Sequence, residues 1–152
     1  MRLTMHTDYA LRLLMLLAVE PKQIHTIEEI ARRYGISRNH LMKVALRLTQ
    51  AGFILSLRGR NGGLQLARPA DTINLGAVVR VTEDSFTLVE CFDAKRNGCV
   101  ITPACGLKGP LEEALLAFMA TLDRYSLADL IKSPRASRGL RRLLGATSAE
   151  LA

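Results

Sequence analysis

Apolar and polar positions recur along this chain mostly with a helical period. From Thr7 to Val19 nearly every face is apolar, which predicts a helix begun by Thr7 or Asp8, buried on several sides and stopped by Pro21. Thr26-Ile27-Glu28-Glu29 has the form of a capping box, in which the Glu29 amide donates to the Thr26 hydroxyl and the Glu29 side chain reaches back. The helix it opens turns Ile27, Ile30 and Ala31 inward and runs to about Tyr34, where Gly35 supplies the permissive backbone of a tight turn. Ser37 is placed to cap the next helix, which runs to about Gln50. There Leu41, Val44, Ala45 and Leu48 share one face, while Asn39, Lys43, Leu46, Arg47 and Gln50 fall on or near the opposite one.

Two helices joined by a short glycine turn make a helix-turn-helix. After Gly52, Phe53 to Arg58 and Leu64 to Arg68 predict two strands, with the hairpin signal Asn61-Gly62 between them. A basic hairpin directly after a helix-turn-helix is a winged helix. The expected fold is therefore mainly α, with a small β-hairpin wing. Beyond the connector at Pro69, Ile73 to about Asp84 predicts a short helix, and Ser85 to Gly109 has little periodicity. Pro110 to Tyr125 predicts a strong helix with proline in its first turn. Its Leu111, Leu115, Phe118, Leu122 and Tyr125 repeat at steps of four and three, a near-heptad seam widened by Leu116 and Met119 and assigned to a dimer interface. Ser126 caps a short helix to about Ile131; Lys132 to Ala152 is expected to be frayed, with a little helix around Leu140 to Leu144 as the alternative. The units expected are a DNA-binding winged-helix domain (1–84), a cysteine-rich loop (85–109), a dimerisation helix with a short terminal helix (110–131) and a flexible basic tail (132–152).

Charge adds the partner. Of 152 residues 49% are hydrophobic, so the chain folds, yet no apolar run reaches the roughly 18 residues that span a bilayer. No cleavable signal is evident at the N-terminus, and the expectation is a soluble, cytoplasmic protein. The net charge is +7, and between Ile30 and Ala70 stand eight Lys or Arg and no acid. Such a block points to a polyanion, because each neutralised phosphate releases counterions. On a winged helix that polyanion is a double-stranded DNA operator. The expected contacts are Ser37, Arg38, Asn39, His40, Lys43 and Arg47 on the second helix, with Arg58, Arg60 and Asn61 at the wing.

The three cysteines, Cys91, Cys99 and Cys105, have seven and then five residues between them, in irregular chain with Gly98, Pro103 and Gly106. Core cysteines sit in regular elements as small apolar residues; these lie among Asp93, Lys95, Arg96 and Asn97. Zinc sites usually show close pairs, whereas wide single spacings suit an iron–sulfur cluster, whose separate irons each take a thiolate. The fourth ligand is left open among water, a small thiol, His6, His25, His40 and the carboxylates. A Gly-rich phosphate loop, a Cys-x-x-Cys pair and a recognisable Ser/His/Asp set are not visible, so a binding protein is expected rather than an enzyme.

Several motifs carry a family resemblance. They are Leu3-Thr4 with Thr7-Asp8-Tyr9-Ala10-Leu11-Arg12, then Gly35-Ile36-Ser37-Arg38-Asn39-His40-Leu41-Met42-Lys43-Val44. Arg58-Gly59-Arg60-Asn61-Gly62-Gly63-Leu64, Leu66-Ala67-Arg68-Pro69-Ala70 and Cys99-Val100-Ile101-Thr102-Pro103-Ala104-Cys105-Gly106-Leu107 follow. Over nearly all of residues 1–131 the chain resembles the Rrf2 family of winged-helix regulators, and within it the nitric-oxide-sensing repressors. The tail from Ser133 lies outside the resemblance. What it implies is a homodimeric repressor with one iron–sulfur cluster per subunit and nitric oxide as signal. Cys91, Cys99 and Cys105 match the family's cysteine ligands, and Asp8 matches an aspartate that completes the site from the partner subunit. The resemblance alone favours the four-iron form, [4Fe-4S], with [2Fe-2S] as the alternative. Members that sense cluster supply use three cysteines and a histidine; this chain has no histidine between Arg47 and its C-terminus, which disfavours that arrangement. The other readings carried are an iron- or cluster-status regulator and a thiol or zinc switch.

Overall fold

Thr4, rather than Thr7 or Asp8, starts the first helix, α1 (Met5–Val19): its hydroxyl accepts the Thr7 N–H at 3.2 Å, while Thr7 itself is fully buried. The computed structural model describes residues 2–145. Leu13, Leu14, Leu16 and Leu17 are buried, each contributing about 1.5–3 kcal/mol over exposure. An all-round apolar helix needs cover on all sides, and α1 receives it from most of the elements described below.

Helix α2 (Ile27–Tyr34) opens on Thr26, whose hydroxyl accepts the Glu29 N–H at 3.1 Å, and ends at Gly35 with φ 64°. Only half of the expected capping box forms, because the Glu29 carboxylate is drawn to Arg33 at 2.6 Å. Helix α3 (Arg38–Gln50) has Ser37 at its N-cap, but the serine side chain makes no capping bond. Its Leu41, Val44, Ala45 and Leu48 are buried, as their spacing requires. Strands β1 (Ile54–Leu57) and β2 (Gly63–Leu66) pair antiparallel, from Ile54 opposite Leu66 to Leu57 opposite Gly63. They are shorter than the expected strands, and the turn is not centred on Asn61-Gly62. Gly62 N–H donates to Gly59 O at 3.0 Å, and the left-handed residue is Gly59, φ 106°. Gly63 is required by close approach: a Cβ there would lie 2.7 Å from the His25 carbonyl oxygen. That approach lets His25 and Leu64 exchange backbone bonds, at 3.2 and 2.8 Å, and ties the wing to the α1–α2 connection.

A 3-10 turn at Ala70–Thr72 leads to α4 (Leu75–Thr82), capped by Asn74. This helix starts later than expected because Ile73 is extended; its carbonyl accepts the Leu127 N–H at 2.8 Å. Residues 83–107 carry only two 3-10 turns, Glu90–Phe92 and Thr102–Ala104. Helix α5 (Lys108–Asp123) begins before Pro110, so proline sits at its third position, and it ends before Tyr125. Helix α6 (Leu127–Ile131) has the capping box of Ser126 with Asp129, whose carboxyl is held below its usual range by the Ser126 backbone and hydroxyl bonds.

The expected flexible tail is corrected by α7 (Pro134–Leu143). Ala136, Leu140 and Leu144 stand at steps of four, giving one apolar stripe, and the helix packs on α1 and α6. Leu144 is buried, and Arg141 Nε donates to the Val19 carbonyl at 2.9 Å, satisfying the end of α1. The tail's last residues, 146–152, lie outside the described residues. Among the described residues no helix is long and apolar enough to cross a membrane.

Candidate nucleic-acid interface and thiol segment

Helix α3 packs its apolar face inward because the core lies on that side; its other face is left to solvent. Ser37, Arg38, Asn39 and Lys43 are exposed there, and Arg58, Arg60 and Asn61 are exposed on the wing. Between helix and wing lies an open groove of about 560 Å³, walled by Met42, Lys43, Leu46, Ser56, Arg58 and Leu64. Leu46 is 59% exposed on this face, an apolar side chain in a position where thymine methyls are met in a major groove. Two of the expected contacts are placed differently. His40 is half-buried, edge-on to Tyr9 at 4.9 Å and 6.4 Å from the His6 ring. Burial, and then the nearby His40, push the His6 imidazole below its ordinary range. Arg47 Nε donates to the Val81 carbonyl at 2.8 Å, anchoring the end of α3 to α4.

The wing's seat rests on a buried group that sequence reasoning passed over as a support. His25 is fully buried, with Nε2 3.0 Å from Glu20 Oε2 and Nδ1 3.5 Å from Glu29 Oε1. The approaches are close, but neither ring nitrogen is aligned for a hydrogen bond. Arg33 bonds both carboxylates, at 2.9 Å to Glu20 and 2.6 Å to Glu29. The signal was present in the chain: His25, Glu29 and Arg33 recur at steps of four. The histidine's burial among acids removes it from the set of ligand candidates near the thiols.

The cysteines lie between α4 and α5, which are clamped together by a two-pronged Arg80–Asp123 pair at 2.6 Å. These hydrogen bonds hold the Asp123 carboxyl below its usual range. At the segment's start, the Thr4 N–H and hydroxyl both donate to Glu83, at 2.8 and 3.1 Å, fixing it to the N-terminus of α1. Cys91 sits within the Glu90–Phe92 turn; Cys99 and Cys105 flank the Thr102–Ala104 turn. Glu90 accepts the Gly98 N–H, which draws the backbone beside Cys91 toward that beside Cys99. Asn97 accepts the Cys99 N–H at 3.1 Å and donates to Thr102 at 3.1 Å. Glu90, Asn97 and Thr102 are therefore the loop's internal scaffold, unforeseen because such turns have no periodicity to read.

All three thiols are free and half-buried. Among the described residues, no three His, Cys, Asp or Glu side chains converge on one ion position. The donor chemistry nevertheless fits an iron–sulfur group: three soft sulfur ligands, and no histidine in the segment. Asp8 is half-exposed on α1 and paired with Arg12 at 2.6 Å. Val100, Ile101, Leu107 and Leu116 are 92%, 61%, 60% and 70% exposed, an apolar surface around the thiol segment and α5.

A basic recognition helix beside a basic wing defines a winged-helix DNA-binding regulator. The chain belongs to the Rrf2 family, described as "Iron-dependent Transcriptional regulator", which matches residues 3–133. It is 55% identical over 134 residues to the HTH-type transcriptional regulator NsrR of Bacillus subtilis, covering 88% of this chain and 92% of the relative. The NsrR of Halalkalibacterium halodurans is 46% identical over 144 residues, covering 94% and 99%. Among solved structures, T. potens IscR superposes with a TM-score of 0.69 at 26% identity, covering 87% of each chain. The protein is thus a DNA-binding transcriptional repressor and not an enzyme.

Proposed function

We propose that this repressor works as a homodimer whose affinity for its operator is set by nitric oxide through an iron–sulfur cluster on Cys91, Cys99 and Cys105, of the four-iron form, completed by Asp8 of the partner subunit. The observation that carries the reading is the trio of free thiols on one self-braced segment, in a chain so similar to NsrR proteins. The family's description as iron-dependent supports it. So does the exposed apolar surface of Val100, Ile101, Leu107 and Leu116, which a second subunit would cover. When bound, the cluster supplies iron that takes up nitric oxide more readily where its ligand is an oxygen than where it is a thiolate. The chain's part is to hold three thiolates on the Glu90–Gly98 and Asn97–Thr102 braces and to present Asp8 on a rigid helix. Arg12 gives that carboxylate a partner whenever it is not engaged across the interface.

The test is anaerobic purification followed by absorbance, Mössbauer spectroscopy and iron and sulfide analysis. The expected protein is brown; Cys99→Ala and Cys105→Ala are colourless, fold normally and no longer bind the operator, and Cys91→Ala behaves likewise. Asp8→Ala keeps part of its iron with an altered spectrum. Full iron and sulfide in Cys105→Ala, or a colourless protein loaded with zinc, rejects the cluster.

A further inference from the structure

Helix α7 is not part of the family match, which ends at residue 133, and the repressor's architecture gives it no task. Its apolar stripe is spent on α1 and α6. Its opposite face is basic: Arg135, Arg138 and Arg142 stand at i, i+3 and i+7, fall within about 60° of one another around the axis, and are exposed. With Gly139 they wall an open pocket of about 330 Å³. Between Leu130 and Ala149 the chain has five Lys or Arg and no acid. Three guanidinium groups held side by side repel one another unless an anion sits among them.

The position of this face is set by Arg141, the fourth arginine of the helix, which is turned inward. It holds the Val19 carbonyl and, with Glu20, Pro21, Lys22 and Gln23, lines a second cavity at the α1–α2 connection. Two residues beyond Gln23, His25 pairs with Leu64 of the wing. The α7 helix is therefore fastened to the same connection that seats the wing.

We propose that α7 is an additional DNA-binding element, in which Arg135, Arg138 and Arg142 grip backbone phosphates of the duplex outside the half-site read by α3. Guanidinium forks match phosphate oxygens, and contacts of this kind add affinity without reading sequence. The inference rests on the protein binding DNA as a winged-helix regulator, and extends that binding beyond the family domain.

The test compares the intact protein with Arg135→Ala/Arg138→Ala/Arg142→Ala, and separately with Gly139→Glu. A side chain at Gly139 meets nothing within 4 Å, and replacing a mid-helix glycine favours the helix, so this second variant reverses charge without unfolding α7. Two duplexes carry an operator selected by the intact protein: one ends at the operator's edges, the other extends roughly one helical turn, about 10 base pairs, at each end. On the extended duplex the triple variant is expected to bind about tenfold or more weakly, and its salt slope to fall by roughly five units, about 0.9 for each of the six phosphate contacts the dimer loses. Gly139→Glu is expected to weaken binding in the same direction. On the trimmed duplex all three proteins should bind alike. Unchanged affinity and slope on the extended duplex overturn the proposal, as does equal loss on both duplexes. So does binding of the intact protein to phosphatidylglycerol vesicles that the triple change abolishes while DNA affinity stays constant. Failure of the intact protein to select any operator would instead count against its role as a DNA-binding regulator.

Discussion

At the scale of single residues, Tyr34 shows how an ordinary side chain is made into a fastening. Its hydroxyl donates to the Arg12 carbonyl at 2.8 Å, joining α2 to α1, and burial pushes its ionisation up to about 12 from 10.0. The folded state thus keeps the phenol proton where the unfolded chain has lost it. The contribution is complete below pH 10 and drains away as pH rises from 10 toward 12. Chemical denaturation at stepped alkaline pH should show this loss in the parent protein. Tyr34→Phe should be less stable at neutral pH by about 0.5–1.5 kcal/mol and flatter above pH 10. At the DNA face, residues divide by what they touch. Arg60 is exposed at the wing tip, and Arg60→Ala should weaken binding to all sequences and flatten the salt slope by about one unit per subunit, roughly two for the dimer. Asn39 and Lys43 are exposed on α3, and Asn39→Ala or Lys43→Ala should instead relax preference at particular base pairs. Binding titrations against operator variants at several salt concentrations separate the two behaviours; an unchanged slope for Arg60→Ala would remove the wing from the interface.

At the scale of elements, α5 stands out for what it leaves uncovered. Leu111, Leu115, Phe118 and Leu122 are only half-buried in the single chain, Tyr125 just beyond the helix is 45% exposed and Leu116 is 70% exposed. A seam of this kind is stable in water only when a second apolar surface meets it. Leu115→Asp with Leu116→Asp should therefore shift the protein to monomer in sedimentation velocity while leaving the winged helix folded; a dimer that survives both changes would move the interface elsewhere. The elements themselves were legible where periodicity was strong. α3 was foreseen over its whole length because Leu41, Val44, Ala45 and Leu48 recur every three to four residues. The hairpin was foreseen as a hairpin, but its turn residue was not, because Gly59 and Gly62-Gly63 compete locally and the choice is made by His25 across the chain. Of α7 only a little helix around Leu140 to Leu144 was legible, as an alternative to a frayed tail, because its four arginines mask a sparse stripe of Ala136, Leu140 and Leu144, whose value depends on α1 and α6 being there. Of the site, residue types and spacing announced the thiols and the basic face. The diversion of Arg47 to Val81 and of His40 to Tyr9 is tertiary packing, which no local pattern encodes.

At the scale of the whole molecule, α1 is the shaft on which the functional parts are mounted. Near its N-terminus Thr4 is bonded to Glu83 at the entry to the thiol segment, and Asp8 stands one turn further on. Along its length it packs against α3 and β2, and its last carbonyl, that of Val19, is taken by Arg141. A force applied at Asp8 is thus applied to a rigid rod that carries the recognition helix and the wing. In the proposed dimer, the bond from Asp8 to the other subunit's thiol segment sets the angle of that rod, whereas the α5 seam sets only the association. The two functions are therefore separable. A two-fold dimer must hold its recognition helices about 34 Å apart, so a change of rod angle is enough to lose the operator. Nitric oxide added to the anaerobic protein should change its visible spectrum within seconds and release it from DNA in gel-shift assays. Sedimentation of the same samples should still show a dimer, because no residue of the Leu111–Tyr125 seam contributes a thiol. Asp8→Ala should bind operator more weakly from the outset and respond less to nitric oxide. Dissociation to monomers on adding nitric oxide would mean that the thiol segment, and not α5, holds the subunits together. Release by iron chelation with indifference to nitric oxide would assign the signal to cluster supply, and release by peroxide from an iron-free protein would assign it to the thiols alone.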